Sequence, residues 1–133
     1  MPRQDFEQHL EALQSEMLEM GSMVATAISR STAALVNRDL SLAEQVIAED
    51  LLINRKRYDI EEMAIELIAM QQPLARDLRV IIAVLNVIVD LERIGDHTTN
   101  IAETVYYAVR GETLPDARPK GDNSPYAVVR PQE

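Results

Sequence analysis

The sequence has no cysteine among its 133 residues, which excludes disulfide bonds, thiolate metal sites and thiol nucleophiles. Its longest apolar run, residues 80–89, is interrupted by Asn86 and is half of the ~20 residues that a membrane-spanning helix needs. The first residues are charged and contain no apolar signal core. These absences predict a soluble, cytoplasmic protein that does not insert into a membrane.

Basic residues are also scarce. The chain carries 13 Lys and Arg against 22 Asp and Glu, a net charge of −9, and its longest basic cluster is Arg55-Lys56-Arg57. A nucleic-acid-binding surface usually requires a basic stripe. The composition therefore argues against a nucleic-acid partner and favours metal ions or basic protein surfaces.

Apolar residues recur at spacings of three and four in three long segments, each of which is typical of an amphipathic helix. Long helices with short connections favour an all-α fold, an antiparallel three-helix bundle, which we predict over residues 1–111. Residues 112–133 contain four prolines and are predicted to form a flexible tail. The three predicted helices cover residues 4–37, 42–71 and 73–110.

Several residues predict where the helices end or meet. Ser41 and Glu44 have the spacing of a capping box, which starts the second helix at about residue 42. Pro73 suits the first turn of the third helix, and Gly111 suits its end. Gly21 is expected to mark a close helix contact. The seam of the first helix is predicted to contain Phe6, Leu10, Leu13, Met17, Met20, Val24 and Ile28.

The third helix places acidic residues where the core pattern calls for apolar ones. With Leu85 at the centre of one face, Glu92 and Asp96 lie within ~40° of it. Burying an unpaired carboxylate is costly, so these acids need cations, a water-filled cleft or an open surface. Gly95 between them leaves room for a ligand or a neighbouring helix.

A second polar group lies on the second helix and consists of Glu49, Asp50 and Asn54. In an antiparallel bundle both groups can face one pocket, with oxygen ligands for iron, zinc, magnesium or another divalent cation. Alternatively, Arg57, Arg93 or lysines pair with the acids in an ion network, or the acids are simply solvated. The residue spacing leaves these three interpretations open.

The third helix is apolar on its opposite side as well. Two partner helices cannot cover so wide an arc, and a large exposed apolar surface usually marks an association site. We therefore expect a homodimer, or a second bundle beside this one. The residues of this second side are Val80, Ala83, Val87, Ile94 and Ile101.

A narrow stripe of the third helix is expected to face solvent. Arg79, Arg93 and His97 lie on it and are candidate contacts for a partner protein, although each alone is more typical of a plain solvated residue. The chain shows no Ser/His/Asp arrangement and no glycine-rich phosphate loop. We therefore predict that it is not an enzyme.

Three stretches of the chain resemble the PhoU family of phosphate-uptake regulators: AEDLLIN at 48–54, QQPLARDLR at 71–79 and DLERIGDHTTNIAE at 90–103. The resemblance implies an all-helical fold built from two repeats of a three-helix bundle. It also implies a negative regulator of phosphate uptake and phosphate-starvation signalling. Its implied partners are a phosphate-sensing histidine kinase and the ATPase of a phosphate ABC transporter. Since this chain holds one repeat, a homodimer would rebuild the two-repeat arrangement.

The resemblance also implies a possible metal site, because some PhoU proteins bind multinuclear clusters through Glu/Asp-x-x-x-Asp motifs on the second and third helices. Glu92 and Asp96 match this motif in full. Asp50 matches its first position, but Asn54 stands where the second acid is expected. Arg57 stands where a further acid is often found, and both changes weaken a multinuclear site. A metal-storage or metal-sensing bundle is the alternative function.

Overall fold

The computed structural model describes residues 3–113, which form three long helices joined by short connections. The helices are α1 (Arg3–Asn37), α2 (Leu40–Gln71) and α3 (Ala75–Arg110). At ~1.5 Å per residue, each is about 50 Å long. The predicted all-α three-helix bundle is confirmed. None of the three helices is both long enough and apolar enough to cross a membrane.

Ion pairs between the helices establish their relative direction. Arg3 at the start of α1 lies beside Asp77 at the start of α3, with Nη1 and Oδ2 2.5 Å apart. These two helices are therefore parallel. The short connections at both ends of α2 make it antiparallel to each of them, as predicted.

The start of α2 differs from the prediction. Asp39 is the cap: its backbone is extended (φ −94°, ψ 100°) and its side-chain oxygen accepts a hydrogen bond from the N–H of Leu42 at 3.1 Å. The helix therefore begins at residue 40, and Ser41 is already inside it. The predicted capping box of Ser41 and Glu44 is wrong, because Asp39, two positions before Ser41, supplies the capping oxygen for the N–H of Leu42.

The connection between α2 and α3 also differs from the prediction. Gln72 adopts a left-handed conformation (φ 47°) and donates its N–H to the carbonyl of Ile68 at 3.1 Å. Pro73 follows in the connection, and Leu74 is extended before α3 begins at Ala75. Proline disfavours a right-handed helical residue before it, so α2 must end there. The placement of Pro73 in the first turn of α3 was wrong.

The end of α3 agrees with the prediction. Gly111 takes up the left-handed conformation (φ 77°) that favours glycine and donates its N–H to the carbonyl of Tyr107 at 2.8 Å. The tail was predicted for residues 112–133. Residues 114–133 lie outside the described part of the chain, so the flexible tail stays a prediction.

Two apolar clusters form the core. The larger one lies towards the α2–α3 connection, and the smaller one, made largely of alanine and valine, lies towards the α1–α2 connection. Along the helices, buried polar residues fall between the two clusters, so the core is divided by a polar layer. This layer contains Ser31, Asp50, Asn54, Thr98 and Thr99.

The buried face of α3 lies about a quarter turn from the predicted axis, at ~100° per residue. Ile88 is fully buried, whereas Leu85 is only partly buried and Glu92 lies at the margin of the core. Because α1 and α2 both pack on this side, their combined surface rather than the apolar pattern of α3 alone sets its orientation. The fully or nearly fully buried side chains of α3 are Ile81, Val84, Ile88, Thr98, Thr99, Ala102 and Val105.

Two expectations for α1 are also corrected. Ile28 is 45% exposed, and the buried side of the helix continues instead through Ser31 and Ala34. Gly21 makes no close helix contact, since a Cβ built on it would meet nothing within 4 Å. The rest of the predicted α1 seam is buried or partly buried.

Candidate functional site

A buried arginine joins α2 to α3. The guanidinium of Arg57 donates a hydrogen bond to Oε1 of Glu92 at 3.2 Å, and its second terminal nitrogen lies 3.6 Å from Oε2 of Glu61. Arg57 is only 8% exposed, and both carboxylate side chains are largely shielded from solvent. We call these three residues the Arg57 network.

The charge balance around Glu92 reflects this burial. Desolvation raises the pKa of Glu92 above its ordinary value of 4.5. The negative charges of Asp96 and Glu61 raise it further. The positive charges of Arg57 and Arg93 act in the opposite direction. Glu92 therefore interacts electrostatically both with charged residues of its own helix, Asp96 and Arg93, and with Arg57 and Glu61 of α2.

Asp50 packs against the backbone of α3. Its side chain is 1% exposed, and its Oδ1 lies 3.3 Å from the position that a Cβ on Gly95 would occupy. The expectation that Gly95 permits a close approach is confirmed, and the approaching group is the neighbouring helix. Thr98 and Thr99 donate their hydroxyls to the Gly95 carbonyl at 2.7 and 3.2 Å.

Glu49 is turned towards α1 instead. Arg30 of α1 donates to both of its carboxylate oxygens, at 2.5 and 2.9 Å, and Gln45 donates to Oε1 at 3.0 Å. This group therefore lies apart from Glu92 and the other acids of α3. No local pattern indicates Arg30 as the partner of Glu49, because the pair joins two helices whose register is set by packing.

The structure thus brings only part of the predicted metal-binding set together. Asp50 and Asn54 are buried in the polar layer, and Glu92 and Asp96 lie on the adjoining side of α3. Within residues 3–113, no three Asp, Glu or His residues are placed to hold one metal ion. With a guanidinium among the acids and a neutral amide in place of a carboxylate, these residues do not fit a multinuclear metal cluster.

Sequence reasoning included Arg57 among the possible partners of the acids but missed Glu61. The signal was present, because Glu61 follows Arg57 by four residues and such pairs lie on one side of a helix. Lys56 was also missed as a specific pair. It bridges to α1, with Nζ 2.6 Å from Glu16 and 3.3 Å from Glu19.

The three candidate partner contacts lie on the surface, as expected. Arg79, Arg93 and His97 are all exposed. Arg93 lies 3.5 Å from Asp90 in the preceding turn, and both of these side chains are 71% exposed. A contact that loose leaves the guanidinium accessible to another molecule. Their role in partner binding stays a prediction.

An exposed apolar surface runs along α1 and α3. Its members follow one another at seven-residue intervals on each helix, which is the spacing of a seam for a further helix. Leu35 and Ile101 line one shallow pocket, so the two rows adjoin. We call this the α1–α3 apolar surface; it consists of Ile28 and Leu35 on α1 and Val87, Ile94 and Ile101 on α3, all 38–53% exposed.

Known proteins match this chain over most of the three-helix bundle. Residues 17–105 match the sequence model of the PhoU domain. The chain is 44% identical over 106 residues to a phosphate-specific transport system accessory protein PhoU homolog of Clostridium acetobutylicum, covering 79% of this chain and 48% of that protein. The corresponding homolog of Rhizobium meliloti is 39% identical over 116 residues, covering 87% and 48%.

The phosphate-specific transport system accessory protein PhoU of Escherichia coli is 36% identical over 99 residues, covering 74% of this chain and 41% of that protein. The chain therefore spans about half the length of the curated relatives it matches. No solved structure gives a significant match.

Proposed function

The chain belongs to the PhoU family, and on that basis we propose that it is a regulatory accessory protein of a phosphate-specific transport system. It acts in the cytoplasm without catalysis, lowering phosphate uptake and phosphate-starvation signalling by contacting other proteins. The observation that carries this proposal is the family match over residues 17–105, which includes the whole of α2 and the Arg57 network. Its relatives are named as accessory proteins of a phosphate-specific transport system, which supports the proposal.

The exposed stripe of α3 supplies the proposed contact surface. Arg79, Arg93 and His97 face solvent on a chain whose net charge is −9. An acidic patch on a partner, either the phosphate-sensing kinase or the transporter ATPase, would be drawn to these cations and repelled by most of the remaining surface. Complementary charge of this kind governs specificity and association rate more than affinity.

A genetic complementation experiment tests the regulatory role. The full chain is produced in bacteria that lack their own PhoU protein and carry a reporter of phosphate starvation. We expect it to restore repression in phosphate-rich medium. The double charge reversal of Arg79→Glu and Arg93→Glu should weaken repression, whereas Arg55→Glu, an exposed reversal on α2, should not. A folded, expressed protein that leaves the reporter fully active would contradict the proposal.

We further propose that two copies associate through the α1–α3 apolar surface. Five exposed aliphatic side chains lie in two rows that meet where Leu35 and Ile101 line one pocket, and exposed apolar surface of this kind marks an interface. The chain also spans about half the length of its relatives, so two copies together would match that length. In a two-fold dimer the same surface of each copy packs against the other, so the apolar rows of each copy would cover those of its partner.

Sedimentation velocity tests this association. The wild type is expected to sediment as a dimer at micromolar concentration, and Ile94→Asp or Ile101→Asp is expected to yield monomers. Ile65→Asp is the matched control, because Ile65 is 53% exposed but lies on α2, away from the surface. A wild type that stays monomeric, or a dimer that only Ile65→Asp dissociates, would contradict the proposed interface.

A further inference from the structure

We propose that Arg57 is the resident counter-ion of the acids between α2 and α3, and that this bundle holds them together by an internal cation instead of a bound metal. The resemblance to PhoU proteins implies acids that ligate metal ions on these two helices. In this chain the positive charge among these acids belongs to a side chain of α2, the guanidinium of Arg57.

The first argument is position. Arg57 contacts a carboxylate on each helix: Glu92 of α3 at 3.2 Å and Glu61 of α2 at 3.6 Å. Its side chain is 10% exposed, against 20% for Glu61 and 13% for Glu92. The cation is thus the most enclosed of the three groups, as expected of the charge around which the others are arranged.

The second argument is protonation. Metal binding usually displaces protons from its ligands, which lets a histidine, cysteine or lysine give way to the ion. A guanidinium cannot do so, because it stays protonated throughout the range in which proteins fold. A divalent ion placed among these acids would therefore face a fixed positive charge at hydrogen-bond distance from one of its ligands.

The third argument is the donor set. Asn54, which is 3% exposed, contributes a neutral amide at the position where the motif expects a carboxylate. Of the two adjacent acids of α2 in this region, Asp50 is buried against Gly95 and Glu49 is held by Arg30 of α1. The negative charges that act on Glu92 are those of Asp96 and Glu61, and two arginines, Arg57 and Arg93, offset part of them. The remaining charge is too small for a cluster of several cations.

Metal-dependent thermal unfolding tests the proposal directly. Unfolding midpoints are measured with chelator and then with Mn²⁺, Fe²⁺ or Zn²⁺, and bound metal is counted by elemental analysis after dialysis. For the wild type we expect shifts below about 1 °C, with no stoichiometric metal. Arg57→Glu replaces the cation with another carboxylate. It should unfold at a lower temperature with chelator and gain roughly 10 °C at saturating metal.

Arg93→Glu is the matched control, since it makes the same change of charge beside Glu92 but at an exposed position. It should gain no metal-dependent stability. Should Arg57→Glu fail to fold, Arg57→Gln replaces it, and Glu92→Gln in the otherwise natural chain gives an independent measurement. We expect the midpoint of Glu92→Gln to be the same with and without metal, because the change removes a partner of Arg57 and not a metal ligand.

Three results would overturn the proposal. One is a wild type that holds metal in stoichiometric amount and loses it in Glu92→Gln or Asp96→Asn. Another is a folded Arg57→Glu protein whose midpoint ignores all three ions. The last is a control, Arg93→Glu, that responds as strongly as Arg57→Glu, because the response would then be independent of the buried site.

Discussion

The carboxylate of Asp50 rests against the backbone of Gly95, with its Oδ1 3.3 Å from where a Cβ on that glycine would stand. Ile53 closes the same position, with side-chain carbons at 3.4 and 3.5 Å. The absence of a side chain at one position of α3 therefore sets how closely α2 can approach. No comparable contact exists at Gly21, the glycine of α1.

This contrast gives a paired prediction. Gly21→Ala should raise the free energy of unfolding by ~1 kcal/mol, because alanine is the better helix former and its methyl group meets nothing. Gly95→Ala gains the same propensity but must displace the Asp50 carboxylate or Ile53. It should be at least about 1 kcal/mol less stable than Gly21→Ala in urea unfolding. Equal stability of the two variants would show that the α2–α3 contact is easily relaxed.

The cap of α2 gives a second prediction. Asp39→Ala removes the oxygen that accepts the N–H of Leu42, so it should cost ~1 kcal/mol of unfolding free energy. Ser41→Ala is the control, and since Ser41 lies inside the helix it should change stability by less than ~0.5 kcal/mol. Urea midpoints of both variants check the assignment. The reverse order of effects would restore the capping box of Ser41 and Glu44.

The burial of Glu92 predicts a pH dependence. Its pKa is raised in the fold, chiefly by desolvation, so the folded protein binds this proton more tightly than the unfolded chain does. The resulting stabilisation is fully present below pH 4.5, the ordinary pKa, and is lost as the pH rises through the folded pKa. Glu92→Gln removes the titration.

The measurement is the difference in unfolding free energy between wild type and Glu92→Gln, followed by urea unfolding from about pH 4 to pH 8. We expect the unfolding free energy of the wild type to fall relative to that of Glu92→Gln as the pH rises, and the difference then to become constant. A difference that grows in favour of the wild type with rising pH would mean that the attraction of Arg57 outweighs burial.

The left-handed residue after α2 gives a fourth prediction. Gln72 has φ 47° and carries a side chain, although this conformation disfavours residues with a Cβ. Gln72→Gly should therefore raise the unfolding free energy by about 0.5–1 kcal/mol. The same change one residue earlier, Gln71→Gly, replaces the last residue of α2 and should lower the unfolding free energy by up to ~1 kcal/mol. Thermal unfolding of the pair decides whether the backbone at Gln72 is strained.

The sequence predicted the number, length and direction of the helices because these depend on local periodicity and short connections. It placed the stop of α3 at Gly111 because that residue's chemistry is local. It misplaced the cap of α2, where Asp39 and Ser41 are both good capping residues and only the backbone angles choose between them. The apolar arc of α3 was too wide to reveal which side faces the core.

At the candidate site, too, contacts within one helix could be predicted from the sequence, whereas contacts between helices could not. The pair of Arg57 and Glu61 follows from helical spacing and was within reach of the sequence. The pairs of Arg57 with Glu92 and of Arg30 with Glu49 depend on the register between helices, which no local pattern encodes. Grouping Glu49 with Asp50 was natural for neighbours in sequence, but adjacent residues on a helix point about 100° apart and face different partners.

The polar layer that divides the core has a consequence for how the bundle opens. The small cluster towards the α1–α2 connection contains only alanine and valine among its buried members, so it buries far less surface than the leucine- and isoleucine-rich cluster beyond the layer. Amide protons at the end of α1, the start of α2 and the end of α3 should therefore exchange with solvent first, as one cooperative unit. This end of the bundle is then the first to open, while the larger cluster keeps the helices in register at the far end.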